Sequence, residues 1–174
     1  MAIPLTARRA ASIAAVLAGL TASAVPAHAA TTTAPSCARI CVLDARSGAH
    51  PDYDRLVLDL TNNGAPPTVH ARVSADGSYH VYASDDDRKL AITGKSYLFV
   101  DIAPADVTST GPDAYTSPVV QPVSLPSLKG VQLATAGGFE MDHTTTFGLS
   151  LGDYSSYKVF TLTSPNRVVV DLYH

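Results

Sequence analysis

The chain has no tryptophan, two methionines and two cysteines among its 174 residues. Glutamate occurs once, as Glu140, so nearly every carboxylate is an aspartate. No basic run is longer than a pair, which excludes the clustered Lys and Arg that nucleic-acid phosphates or anionic lipid require. Gly148-Leu149-Ser150-Leu151-Gly152 has the Gly-x-Ser-x-Gly spacing, but it lies in a stretch that reads as a strand with no helix after it, so the strand-turn-helix setting of an exposed nucleophilic serine is missing. No His-x3-His or His-Glu-x-x-His pairs the histidines for a metal. Beyond residue 29 no apolar stretch is long enough to span a bilayer. No stretch carries the three-to-four-residue period of an amphipathic helix.

What is present begins with a targeting segment. Met1 to Arg9 holds two arginines and no acid, Ala10 to Val25 is apolar and Ala-rich, and Pro26-Ala27-His28-Ala29 is a small-x-small cleavage site. This predicts a secretory signal peptide over 1–29, cut after Ala29, and a secreted, extracellular product with no membrane span once the signal is gone. Arg8-Arg9 raises the twin-arginine route, but the following residues do not complete that signal. Removing Arg8 and Arg9 takes the formal charge from −3 to about −5. Residues 30–39 are rich in Thr, Ala and Pro and read as a flexible N-terminal segment. Cys37 and Cys41 are expected to form a disulfide in an exported protein. The small loop they close limits its chain-entropy contribution to roughly 2 kcal/mol.

Residues 40–174 suit a single domain of short strands. Ile40 to Ala45 reads as a first strand and Arg46 to Asp52 as a loop. Arg55 to Leu60 is a buried strand that leads to the Asn63-Gly64 turn. Thr68 to Val73 and Tyr79 to Ala83 flank an Asp76-Gly77 turn and are expected to pair as a hairpin. Ser84 to Arg88 reads as a charged turn, Leu90 to Ile92 as a short edge strand, and Ser96 to Ile102 as a strong strand. From Ala103 to Lys129 five prolines break the pattern, giving a long ordered loop packed over the domain. Gly130 to Thr135 and Thr145 to Leu151 follow, and Tyr157 to Leu162 is expected to pair with the latter. The expected fold is all-β, a sandwich or open barrel of roughly eight to ten short strands with a long Pro-rich loop.

The closing strand Arg167-Val168-Val169-Val170-Asp171-Leu172 repeats the pattern of Arg55-Leu56-Val57-Leu58-Asp59-Leu60. With a period of two, each Arg and Asp share one face, while Leu56, Leu58, Leu60 and Val168, Val170, Leu172 occupy the other. The repeat fits pseudo-twofold symmetry or simply two similar buried strands. Arg55, Asp59, Arg167 and Asp171 are expected to form structural ion pairs, with the two strands close together.

Gly48, His50 and Tyr53-Asp54-Arg55-Leu56-Val57, together with Leu125-Pro126-Ser127-Leu128 and Pro165-Asn166-Arg167 through His174, resemble the AMIN-like domain of actinobacterial secreted proteins and lipoproteins. The resemblance runs from about Val42 to His174. It implies a β-sandwich, non-catalytic module of the cell envelope, with peptidoglycan or another wall glycan as ligand. There is no lipobox, because Cys37 lies well beyond the apolar run, so lipid tethering is not expected.

Two readings attach to the His50, Asp52, Tyr53, Asp54, Arg55 cluster. As a ligand site, the Tyr53 ring would stack on a pyranose while His50 and Asp52 fix hydroxyls. As architecture, Arg55 pairs with an acid and Tyr53 caps the core. Tyr79 and Tyr154, beside turns, are expected to be exposed. His70 and His80 would face each other across the expected hairpin, two ligands at most for a metal. Asp85-Asp86-Asp87 lacks the spacing of a calcium loop. No catalytic residue, metal site or cofactor is assigned. The partner is a cell-wall glycan or an envelope protein, the latter docking on a strand edge; a hydrolase with an unrecognised site is the third reading.

Overall fold

The computed structural model describes residues 35–110, 113–137 and 142–174. The expected signal peptide and residues 30–34 of the expected flexible segment lie outside them. Among the described residues there are eleven strands: β1 Val42–Ala49, β2 Tyr53–Leu60, β3 Thr68–Ser74, β4 Ser78–Val81, β5 Asp86–Lys89, β6 Ser96–Ala103, β7 Val120–Pro122, β8 Leu128–Thr135, β9 Thr145–Leu151, β10 Ser156–Leu162 and β11 Arg167–Tyr173. No α-helix occurs among the described residues. One sheet has the order β1-β2-β11-β10, a second β3-β6-β9-β8-β7, and β4-β5 form a separate ribbon. The sheets are not closed into a barrel, so the all-β expectation resolves to a sandwich.

Alternation builds the core. Leu56, Leu58 and Leu60 of β2 and Val168, Val170 and Leu172 of β11 point inward from the first sheet. Leu98, Val100 and Ile102 of β6 and Phe147, Leu149 and Leu151 of β9 meet them from the second. Burying each such side chain is worth roughly 1.5–3 kcal/mol. The two similar strands are direct neighbours: β11 pairs antiparallel with β2, placing Asp171 opposite Arg55 and Arg167 opposite Asp59.

Several expected pairings are corrected. β3 does not pair with β4 but with β6, over seven residue pairs. Gly77, at φ 69°, instead turns the chain onto the outer face of the second sheet, above the Tyr97 ring. There β4 pairs with Asp86–Lys89, so the expected charged turn is largely a strand. Tyr79 is buried against Phe99 rather than exposed. Leu90 to Ile92 is not a strand; it straps the same face, where Gly148 and Gly130 leave room for Leu90 and Ile92. β10 pairs with β11, not β9. The reason lies in burial: β9 is buried at every position between β6 and β8, whereas β10 is mostly exposed and suits an edge. β1 runs on to Ala49, so the expected loop shortens to 50–52. Tyr154, expected to be exposed, is half-buried against the main core.

The Pro-rich loop covers an otherwise open edge. Val42 donates to the Asp106 carbonyl, and Thr116 donates to the Leu43 carbonyl. Ala105, Val107, Ala114 and Tyr115 bury their side chains beneath it. Such cover prevents another chain from adding to the first half of β1. Asn166 joins two turns: its amide donates to the Thr61 and Gly64 carbonyls at 3.2 and 3.0 Å. From Ser36 onward the segment expected to be flexible is fixed. Thr110 donates to Ser36, Asn63 donates to the Cys37 and Arg39 carbonyls, and Cys37 is bonded to Cys41.

The tie between the sheets is Asp54, fully buried on the inner face of β2. Its Oδ2 accepts from the backbone N–H groups of Ser127 and Leu128, at 2.6 and 3.0 Å. Its Oδ1 has no hydrogen-bond partner among the described residues. Replacing the side chain by alanine strands two buried donors. Asp54→Ala is expected to cost about 3 kcal/mol or more, and Asp54→Asn, which keeps an acceptor, less than half of that. Urea unfolding of the three proteins reads the difference; equal losses for Ala and Asn would refute the role given to the acceptor.

Candidate functional site

The outer faces of the two sheets differ. On the first sheet, Tyr53, Arg55, Val57 and Asp59 of β2 lie beside Arg167, Val169, Asp171 and Tyr173 of β11. Arg55 forms a two-pronged bond to Asp171, Nε–Oδ1 2.6 Å and Nη2–Oδ2 2.8 Å. Hydrogen bonding to Asp171 raises the guanidinium's pKa against the lowering effect of burial. Asp59 pairs with Arg46 on β1 at 2.6 Å, not with Arg167. Arg167 donates to its neighbouring Pro165 carbonyl at 3.4 Å. The expected four-residue charge set thus supplies one internal pair. The sequence reading missed Arg46 because it had placed that residue in a loop; on β1 it stands opposite Val57, diagonal to Asp59.

His50, Asp52 and Tyr53, the expected ligand contacts, also lie at this sheet. His50 and Tyr53 stack on each other at 4.4 Å, Tyr173 approaches Tyr53 at 5.5 Å, and Arg55 sits 5.0 Å from the Tyr53 ring centre. The Asp52 carbonyl accepts from His174 N–H. Tyr53 is therefore already engaged by three neighbours.

The second sheet carries a groove of about 720 Å³ on its outer face. Its floor comes from alternate positions on adjacent strands: Arg72 of β3, Asp101 of β6, Thr146 of β9 and Thr135 of β8. One wall is β4 with Ser78, Tyr79 and His80, continued by Tyr82; Asp142 and Thr144 stand at another side. Tyr82 is 77% exposed, and the His80 ring meets it edge-on at 4.7 Å. Arg72 lies over Phe99 at 4.2 Å and reaches Asp101 at 3.7 Å, while Thr146 donates to the other Asp101 oxygen at 2.8 Å. Hydroxyls, an amphipathic ring and a fixed ion pair facing open space are the equipment of a polar-ligand site. A smaller hollow of about 450 Å³, beside the disulfide, is lined by Leu43, Leu60 and Asn62 and holds no charged side chain.

His70 and His80 do not face each other. His70 stands opposite Asp101 in the β3–β6 register, and His80 bonds Asp87 across the β4–β5 ribbon. Among the described residues no group of His, Cys, Asp or Glu could hold a metal ion. A serine, a histidine and an aspartate do meet near the chain's end. Ser127 Oγ, however, is buried and donates to the Asp153 carbonyl at 2.6 Å, with His174 Nδ1 farther away at 3.4 Å. Asp54 touches Ser127 only through its backbone N–H. That arrangement is a clamp, not a nucleophile and base.

A family model described as the AMIN-like domain matches residues 40–174. No curated protein and no solved structure matches the chain.

The ribbon that forms the groove wall starts from a carboxylate-capped turn. Asp76 accepts from the Ser78 hydroxyl at 2.6 Å, and from Ser78 N–H and the Ser74 hydroxyl at 3.1 Å each. The Ser78 hydroxyl is the main reason its pKa falls from 3.8 to about 2. A depressed carboxylate contributes stability above its unfolded pKa and loses it as pH falls through the folded one. The turn is accordingly expected to loosen between pH 3.8 and about 2. Carboxyl NMR titration should return about 2 for Asp76, and Ser78→Ala should move it towards 3.8; an unchanged value in that variant would contradict the assignment.

Proposed function

The chain belongs to the AMIN-like domain family, and on that premise we propose that it is a secreted, non-catalytic module that binds a cell-wall glycan such as peptidoglycan. The family is associated with the cell envelope and consists generally of non-catalytic binding modules. The observation that carries the reading is the groove on the second sheet, where the exposed Tyr82 ring stands beside Thr144, Thr146 and the Arg72–Asp101 pair. A pyranose offers one face of C–H groups to an aromatic ring and a rim of hydroxyls to hydrogen-bonding side chains. The groove provides both without rearrangement of its floor, which lies on paired strands.

A second reading has one observation in its favour. Val119 and Val120, 56% and 37% exposed, lie at the short edge strand β7, a place where an envelope protein could add a strand.

Sedimentation with insoluble peptidoglycan separates the two. The folded protein is expected to be retained above a denatured control, and Tyr82→Ala to lower the affinity about tenfold, equivalent to about 1.4 kcal/mol. Absence of retention would remove the glycan reading. Retention unaffected by Tyr82→Ala but lost in Tyr53→Ala would transfer the site to the His50–Tyr53 loop.

A further inference from the structure

The charges around the groove narrow the ligand further, on the premise that it is a glycan site. Pairing accounts for most of them. Arg72 faces Asp101 at 3.7 Å, Arg88 faces Asp86 at 3.2 Å, and Lys89 faces Asp76 at 3.7 Å. Three carboxylates remain. Asp85 and Asp87 both face His80, at 3.4 and 2.9 Å, and one imidazole carries at most one positive charge between them. Asp142 lines the groove with no Lys or Arg paired to it among the described residues. The Thr144 hydroxyl and N–H hold its pKa below the ordinary value, so it is ionised at neutral pH. An acidic glycan or a phosphate polymer entering here meets uncompensated negative charge, whereas a protonated amine meets a counter-charge.

We propose that the groove selects an amino-bearing glycan, one with a free, protonated sugar amine, stacked on Tyr82 with the amine directed to Asp142. The N-acylated form of the same sugar keeps the ring face and hydroxyls but loses the charge. The groove would therefore distinguish two states of one polymer by the presence of an acyl group. That selectivity comes from residues outside the strand motifs repeated at the two ends of the chain.

The test uses two probes with one backbone: a β-1,4-glucosamine tetramer and its fully N-acetylated counterpart, titrated calorimetrically at low and high salt. The amine form is expected to bind on the order of tenfold more tightly at low salt, with the preference shrinking as salt screens the charges. Asp142→Asn, an exposed substitution whose folding is checked by its thermal melt, should reduce the preference severalfold, weakening the amine form more than the N-acetylated one. Tyr82→Ala should weaken both. If the N-acetylated tetramer binds as tightly as the amine form, or Asp142→Asn keeps the full preference, the selectivity is refuted while the glycan site stands. If neither tetramer binds, the glycan site and the selectivity fall together.

Discussion

Asp54 is a fully buried carboxylate on the core face of the first sheet, between Leu56 and the start of β8. Desolvating a carboxylate costs several kcal/mol, and two bonds from backbone N–H groups offset much of that cost. The result is specificity rather than a large net stabilisation. An apolar side chain would leave the Ser127 and Leu128 donors bare, and the bend into β8 would lose its tie to the first sheet through β2. Because Asp54 sits on the first sheet and Ser127–Leu128 open a strand of the second, one carboxylate sets how the two layers meet. Around it the chain fastens several segments: Gly152 donates to Ser127, Ser155 to Tyr173, and His174 to Asp52.

That closure divides labour between the faces. The outer face of the first sheet is occupied by its own contacts: Arg55 with Asp171, Arg46 with Asp59, and the His50, Tyr53 and Tyr173 rings with one another. The second sheet is built differently. Its outer face is overlaid by the β4–β5 ribbon and by Leu90 and Ile92, which settle on Gly148 and Gly130 where any Cβ would collide. The overlay covers only part of the sheet. What it leaves open is the groove, so the device that protects one portion of the face also forms the wall of the candidate site.

The sequence made the strands legible wherever the period of two met burial on one side, as in Arg55–Leu60, Ser96–Ile102 and Arg167–Leu172. It also made the adjacency of the two charged strands a reasonable expectation. Partner choice was not legible. Thr68–Val73 and Tyr79–Ala83 flank a good turn, yet whether such a turn makes a hairpin or lifts the chain onto a sheet depends on Tyr97 and Phe99, far along the chain. Long-range geometry decided the charged residues too: Asp59 met Arg46, and Asp54 proved to be the inter-sheet clamp. The groove was invisible for the same reason. Arg72, Asp101, Thr146 and Thr135 lie apart in the sequence, and only the order β3-β6-β9-β8 brings them onto one face. The tyrosines stand out in the sequence, but the alternation in β4 does not say which side is covered.

The account's central claim is that recognition belongs to the open face of the second sheet and that the tyrosine–arginine cluster of the first sheet is architecture. The most direct measurement is an amide chemical-shift map of isotopically labelled protein titrated with soluble wall-glycan fragments. The account predicts that perturbations gather at Arg72, Ser78 to Tyr82, Asp101 and Thr144 to Thr146. Perturbations centred instead on His50 to Arg55 and Tyr173, with the groove silent, would contradict it.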